Sequence, residues 1–393
     1  MPAATPDRLP ALTGLRFAAA LGILLFHYGG PLTEWAPGPV ERIRASGYVW
    51  VGLFYVLSGF VLARAHPAPM GPEARRAFRA ARLARLYPAY LLAFLLAAPF
   101  AIQRWSAGGP VAAAKGAFVA AAALLLAQAW LPPIARAWNA PGWSTSVVAA
   151  FYAAFPFAAA ALGRLSRRGL ALAAAGAWGL SLAFPLAYLA LRPDGEVADV
   201  AWNEPFWLEA LKFHPVARAG EFLAGVALGL LDRRAPLLAR GGGAAAGLGL
   251  AAVLAVLGFA DVPYPLLHNG ALVPLLALVV VGTARAAGPL ARILGSALAQ
   301  ALGDASFALY ALQEPLWLWA RRLAGTPDQP ASALFVVGFG AAALAISLAV
   351  SSRLERPVRR ALRSILAGDR AATRDPARVE RPSSARACPP PRP

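Results

Sequence analysis

Arg16 and His27 lie in one apolar stretch, LTGLRFAAALGILLFHY, with ten residues and no other charge between them. On an α-helix, eleven steps of 100° make three turns plus about 20°, so both side chains face one way, their Cα atoms roughly 16 Å apart along the axis. An ionisable side chain inside a bilayer span is costly and marks a functional site by default. The pair places a cation near one membrane surface and an imidazole deeper along the same stripe. That suits a long substrate gripped at one end by its charge, with its reactive end brought to a base. Histidine is the natural base, because its unperturbed pKa is about 6.5.

Other residues carry chemistry with less specificity. Arg82 and Arg85 are three apart and share a helical face. Guanidinium groups hold phosphate bidentately, although the preference of cationic loops for the cytoplasm explains Arg75, Arg76 and Arg79 and applies equally to this pair. Trp143 and Tyr152 suit either a pocket wall or an interfacial aromatic belt. Glu221 lies in an apolar run beside Arg218, and is either half of a buried ion pair or a working acid. Ser58 lacks a glycine two positions before it and is no nucleophile elbow. His27, His66, His214 and His268 match no zinc spacing, so no metal is expected, and the lone Cys388 allows no disulfide framework.

The elements that must position these residues are membrane helices. Of 393 residues, 59% are hydrophobic and 14% charged, against about a quarter charged in soluble domains; mean hydropathy is +0.56. Apolar runs lie at about 11–30, 47–65, 86–101, 112–131, 143–163, 169–191, 213–231, 244–260, 266–284, 297–320 and 331–351. The net charge of +18 is almost all arginine, with Lys115 and Lys212 the two lysines, and it sits in loops beside those runs and in the tail. This is the pattern of cytoplasmic anchoring rather than nucleic-acid binding. The first run has no small-residue cleavage site after it and reads as uncleaved.

Loop charges set the expected path. Arg75 to Arg85, Arg164 to Arg168, Arg233 to Arg240, and Arg285 with Arg292 belong in the cytoplasm, whereas the loop with Asp194, Glu196, Asp199 and Glu204 belongs outside. Three runs then separate two cytoplasmic loops where an even number is required, so one of 86–101, 112–131 or 143–163 is expected to turn back or lie flat. The expected fold is an all-α polytopic bundle of about ten transmembrane helices with both termini cytoplasmic. Arg321 and Arg322 fall on the outer side in this scheme and count against it. GVALG at 225–229 and GGGAAAG at 241–247 read as close helix packing. Residues 368–393, rich in Arg and Pro, read as a disordered cytoplasmic tail.

Five stretches, in order, resemble the acyltransferase-3 family, bacterial integral-membrane enzymes that acylate cell-surface carbohydrates. They are the Arg-x10-His helix at Arg16 and His27; VGLFYVLSGFVL at 51–62; RLARLYPAYLL at 82–92; WSTSVVAAFYAAFP at 143–156; and a last group running from GEFLAGVALG through LGDASFALYALQEPLW to LERP at 354–357. The resemblance implies one membrane domain over residues 9–360, in a plasma membrane. It implies O-acyl transfer from acyl-CoA, acetyl-CoA foremost, to a carbohydrate or glycolipid hydroxyl, with no permanently bound cofactor, metal or nucleic acid. His27 would be the base; Arg16, Arg82 and Arg85 would hold the donor; and Trp143, Ser144 and Tyr152 would line the substrate site. Three positions depart from the pattern: Val148 stands where a Glu is usual, Gly52 where an acid is common, and Gln313 where a His is common. Glu221 is the candidate replacement acid. The alternative is a non-catalytic member that binds or transports a lipid-linked glycan.

Overall fold

The computed structural model describes residues 9–67, 69–195 and 205–361, which are helical and contain no strand. Glu196, Asp199, Glu204, Cys388 and the expected tail at 368–393 lie outside the described residues. Eleven major helices are α1 (Pro10–Tyr28), α2 (Trp50–Ala65), α3 (Pro72–Ser106), α4 (Gly109–Leu124), α5 (Gly142–Leu162), α6 (Arg167–Leu191), α7 (Ala219–Arg234), α8 (Gly242–Phe259), α9 (Val273–Ala284), α10 (Ala297–Leu323) and α11 (Ala333–Val350). Each falls on one of the apolar runs. Their starts follow local chemistry: the hydroxyls of Ser166, Ser296 and Ser332 accept from Gly169, Ala299 and Phe335 N–H at 3.1–3.2 Å, each satisfying an orphan donor of the first turn.

Eight helical segments among the described residues are long and apolar enough to cross a membrane. Two further helices pack among them: α7, of 16 residues, and α10, of 27 residues, which carries Asp304, Glu314, Arg321 and Arg322. The remaining helix, α4, is the run that turns back. α3 and α5 are antiparallel, since Arg85 and Tyr152 line one cavity while Tyr90 lies against Gly142. An even number of crossings must therefore lie between them. α4 descends until the Tyr87 and Tyr90 hydroxyls reach the carbonyls of Leu124 and Ala123 at 3.1 and 2.8 Å. The chain reverses at Leu126, whose φ of 55° is left-handed, and returns through short 3-10 turns at Gln128–Trp130 and Pro132–Ile134. Non-helical backbone at membrane depth persists only where protein buries it. Here Ser146 Oγ donates to the Leu126 carbonyl at 2.5 Å, Gln128 Nε2 to the Gly142 carbonyl at 3.0 Å, and Trp138 Nε1 to the Phe94 carbonyl at 3.0 Å.

Close glycine contacts fix the core. A Cβ on Gly225 would stand 2.1 Å from the Val56 carbonyl oxygen, one on Gly229 2.5 Å from that of Phe60, and one on Gly59 2.2 Å from that of Phe222. The GVALG stretch is thus the α2–α7 contact. GGGAAAG similarly meets α9, with Gly242 against the Arg285 backbone. Gly225→Ala is expected to lower stability by about 1–3 kcal/mol, because backbone cannot yield as a side-chain tip can. Gly247→Ala, with open space around the position, is expected to leave the thermal midpoint unchanged. Melting of the two purified variants by tryptophan fluorescence separates these outcomes.

Two charged groups gain roles that loop counting did not give them. Arg285 is bound to Asp232, its Nη2 2.8 Å from Oδ2, and Arg64 pairs with the same buried carboxylate. Arg321, which sat awkwardly on the outer side, stacks on Trp317 and Phe335 and donates to the carbonyls of Pro327 and Gln329. It ties down the α10–α11 connection, so its charge answers to packing rather than topology.

Candidate active site

α1 and α10 run side by side, so close at Gly303 that a Cβ there would strike the Thr13 carbonyl. This crossing turns the Arg16–His27 stripe toward two adjoining cavities. Arg16 lines a cavity of about 90 Å³ with Arg85, Ser144, Val148, Tyr152 and Ser58. His27 lines one of about 260 Å³ with Trp143, Arg136, Lys212, His268 and Glu314. Val51 and Tyr310 belong to both walls. Of the residues singled out in the sequence, Arg16, Arg85, Ser144 and Tyr152 therefore meet in one chamber, and His27 and Trp143 in the next.

Arg82 and Glu221 are placed elsewhere. The Arg82 guanidinium lies over the Phe78 ring at 5.5 Å and lines neither chamber. His66, just beyond α2, meets the edge of the same ring at 5.3 Å; burial, then the nearby Arg82 charge, hold its pKa below the ordinary value. Glu221 pairs with Arg218 at 2.9 Å, both fully buried, and lines neither chamber. Arg218 also donates to the His268 carbonyl and to Asn269 Oδ1, and lies over the Tyr55 ring. Of the two readings left open for Glu221, the geometry matches the ion pair. A Cβ on Gly52 would lie 3.3 Å from Glu221 Oε1. The carboxylate from α7 thus occupies the space beside α2 into which a side chain at position 52 would project.

The carboxylate that does share the His27 chamber is Glu314, which sequence reasoning missed. It accepts from the Ala140 backbone N–H, in the segment that returns from the α4 reversal. Its signal was present, an acid within an apolar run like Glu221, but one residue from Gln313, which drew attention as a departure instead. Gln313 has its own use. Its Nε2 donates to the Tyr310 carbonyl at 3.1 Å, which turns Oε1 toward His27 Nδ1 at 3.4 Å. An acceptor there calls for a proton on Nδ1 and leaves the Nε2 lone pair free to take another. His268 is a second imidazole in the wall, stacked on Tyr48 at 5.3 Å.

The Tyr310 and Ser144 hydroxyls are 2.7 Å apart, and Ser144 also reaches the Pro141 carbonyl at 3.1 Å. The Ser144 hydroxyl donates to the Tyr310 oxygen, which leaves the phenol's own proton for a group in the chambers. A pinned phenol thus stands between a chamber of arginines and a chamber holding an imidazole and a carboxylate. This arrangement can hold an anionic carrier on one side, a hydroxyl beside a base on the other, and a reacting carbonyl between them. Among the described residues no group of three or more His, Cys, Asp and Glu side chains could hold a metal.

Comparison with known proteins bears on the same span. The chain is 30% identical over 347 residues to acyltransferase MdmB of Streptomyces mycarofaciens, covering 86% of this chain and 87% of that protein. It is 40% identical over 107 residues to protein 2 in the picA locus of Rhizobium radiobacter, covering 27% of this chain and 52% of that one. No solved structure matches. The acyltransferase domain Acyl_transf_3 matches residues 9–352, which hold every wall residue of both chambers, and the chain belongs to the acyltransferase-3 family.

Proposed function

We propose that this membrane acyltransferase moves an acyl group, acetyl foremost, from acyl-CoA to a carbohydrate hydroxyl of a surface or lipid-linked glycan. The Arg16 end of the bundle faces the cytoplasm, where coenzyme A is found, and both termini lie on that side of the plasma membrane. The observation that carries this reading is the pair of chambers sharing Val51 and Tyr310.

Arg16 and Arg85 bind phosphate of coenzyme A, with Arg82 as an outlying contact on the approach. The thioester carbonyl reaches the shared wall, and the acceptor hydroxyl lies in the His27 chamber against Trp143. His27 Nε2 takes the hydroxyl proton as the oxygen attacks the carbonyl carbon. The Tyr310 hydroxyl stands where the oxyanion develops, and a preorganised donor there is worth most in the transition state. Collapse breaks the carbon–sulfur bond, and the proton on His27 passes to the departing thiolate, giving ester and free coenzyme A. Glu314 offsets the charge that His27 carries in between. Glu221 serves as the counter-ion of Arg218.

Calorimetric titration of acetyl-CoA into the purified full-length protein tests the donor half. A charge-assisted hydrogen bond contributes about 1.5–3 kcal/mol, so Arg16→Ala and Arg85→Ala are each expected to weaken binding about tenfold or more, with a smaller change in Arg82→Ala. Unchanged affinity in both Arg16→Ala and Arg85→Ala would refute the assignment.

A further inference from the structure

We propose that Val51 and Tyr310 form a size filter that sets which acyl chains the protein accepts, favouring acetyl over longer chains. The inference rests on the donor reading above and adds what that reading leaves open, the length of the transferred group.

Transfer needs the thioester and the acceptor hydroxyl in contact, yet the groups suited to each lie in separate chambers. Of the residues lining the Arg16 chamber, only Val51 and Tyr310 also line the His27 chamber. The acyl group must therefore lie against these two side chains when it reacts. The donor side is also the tighter: about 90 Å³ against about 260 Å³. Phe54, Leu86, Val148 and Phe307 give it apolar surface for a short acyl group, but Ser58, Thr145 and Ser306 line it too, so each added methylene must also lie against hydroxyls.

A filter works only if its edges cannot retreat, and both edges are fixed. The Tyr310 hydroxyl is held at 2.7 Å by Ser144, and the Tyr310 carbonyl accepts from Gln313. α10, which carries Tyr310, is locked against α1 at Gly303. Val51 precedes Gly52, where an added Cβ would stand 3.3 Å from Glu221 Oε1, and α2 is locked to α7 through Gly59 and Gly225. Interiors packed this way respond to single methylene groups. One methylene in an apolar pocket changes discrimination by about 10–200-fold.

The test titrates acetyl-, butyryl- and octanoyl-CoA separately into the purified full-length protein and compares affinities. The parent is expected to bind acetyl-CoA at least about tenfold more tightly than butyryl-CoA. Val51→Ala is expected to reduce that ratio about tenfold or more, and Val51→Ile to increase it. Leu172→Ala, at an exposed position on α6, is expected to leave the ratio unchanged. A ratio that is the same in the parent, Val51→Ala and Val51→Ile overturns the filter, as does equal affinity for all three donors in the parent. Val51→Ile keeps the test decisive if the alanine variant fails to fold. Binding of none of the three by folded parent protein overturns the donor reading, and the filter with it; this differs from binding without discrimination, which overturns the filter alone.

Discussion

His27→Ala is expected to lower acyl transfer by about 10²–10⁴-fold, the range typical of a positioned general base. The structure gives a reason for that size. Gln313 sets the ring so that one nitrogen is free to accept, and Glu314 stands in the same chamber to offset the charge that follows. An alanine removes the proton acceptor and leaves the Arg16 chamber intact, so acetyl-CoA affinity is expected to hold. Mass spectrometry of surface glycans from cells carrying each form, with the amount of inserted protein measured in parallel, reads the rate. Acylation near the parent level at equal protein would remove His27 from the chemistry. Acetyl-CoA affinity lost together with turnover would move its role from proton transfer to donor binding.

Glu221→Gln is expected to act through a different quantity. Breaking a fully buried ion pair by neutralising one partner costs about 3–5 kcal/mol, because the other charge is left without compensation. Arg218 is that other charge, with 0% exposure, and it holds the His268–Asn269 corner as well as Tyr55. The thermal midpoint of the purified variant is expected to drop steeply, while turnover per folded molecule stays at the parent value. A loss of turnover per folded molecule comparable to that of His27→Ala, with the midpoint unchanged, would reverse the assignment and make Glu221 a participant in the reaction.

Much of the fold was legible because membrane helices announce themselves one at a time. Each apolar run carries its own hydropathy signal and folds its backbone hydrogen bonds internally, so all eleven runs appear as helices. Loop charge even required that one of the runs 86–101, 112–131 or 143–163 turn back or lie flat. It could not say where, because the reversal depends on the hydroxyls of Tyr87, Tyr90 and Ser146 reaching carbonyls across three elements. The same divide runs through the site. The Arg16–His27 stripe follows from helical period alone, and it lines the cavities as the spacing implies. Glu314 and Glu221 were indistinguishable in sequence, both acids in apolar runs. Only the crossings decide that one lines the His27 chamber while the other meets Arg218 inside the bundle. Arg82 and Arg85 share a helical face in principle, but the inward pull of Phe78 on one and the cavity beside the other separate them.

The reversal after α4 also has a consequence for how the chain is made. Several carbonyls at its turn find their donors on α3, already synthesised, and on α5, not yet synthesised. A nascent chain that has emerged only as far as the turn would leave the Leu126 carbonyl bare in hydrocarbon, at a cost of several kcal/mol. The segment from α3 to α5 must therefore leave the insertion machinery as one unit, after Ser146 has arrived. Since Glu314 later binds the Ala140 N–H on the returning segment of that unit, the His27 chamber closes only when α10 is added, and a ribosome-released fragment ending before it would be embedded with that chamber incomplete.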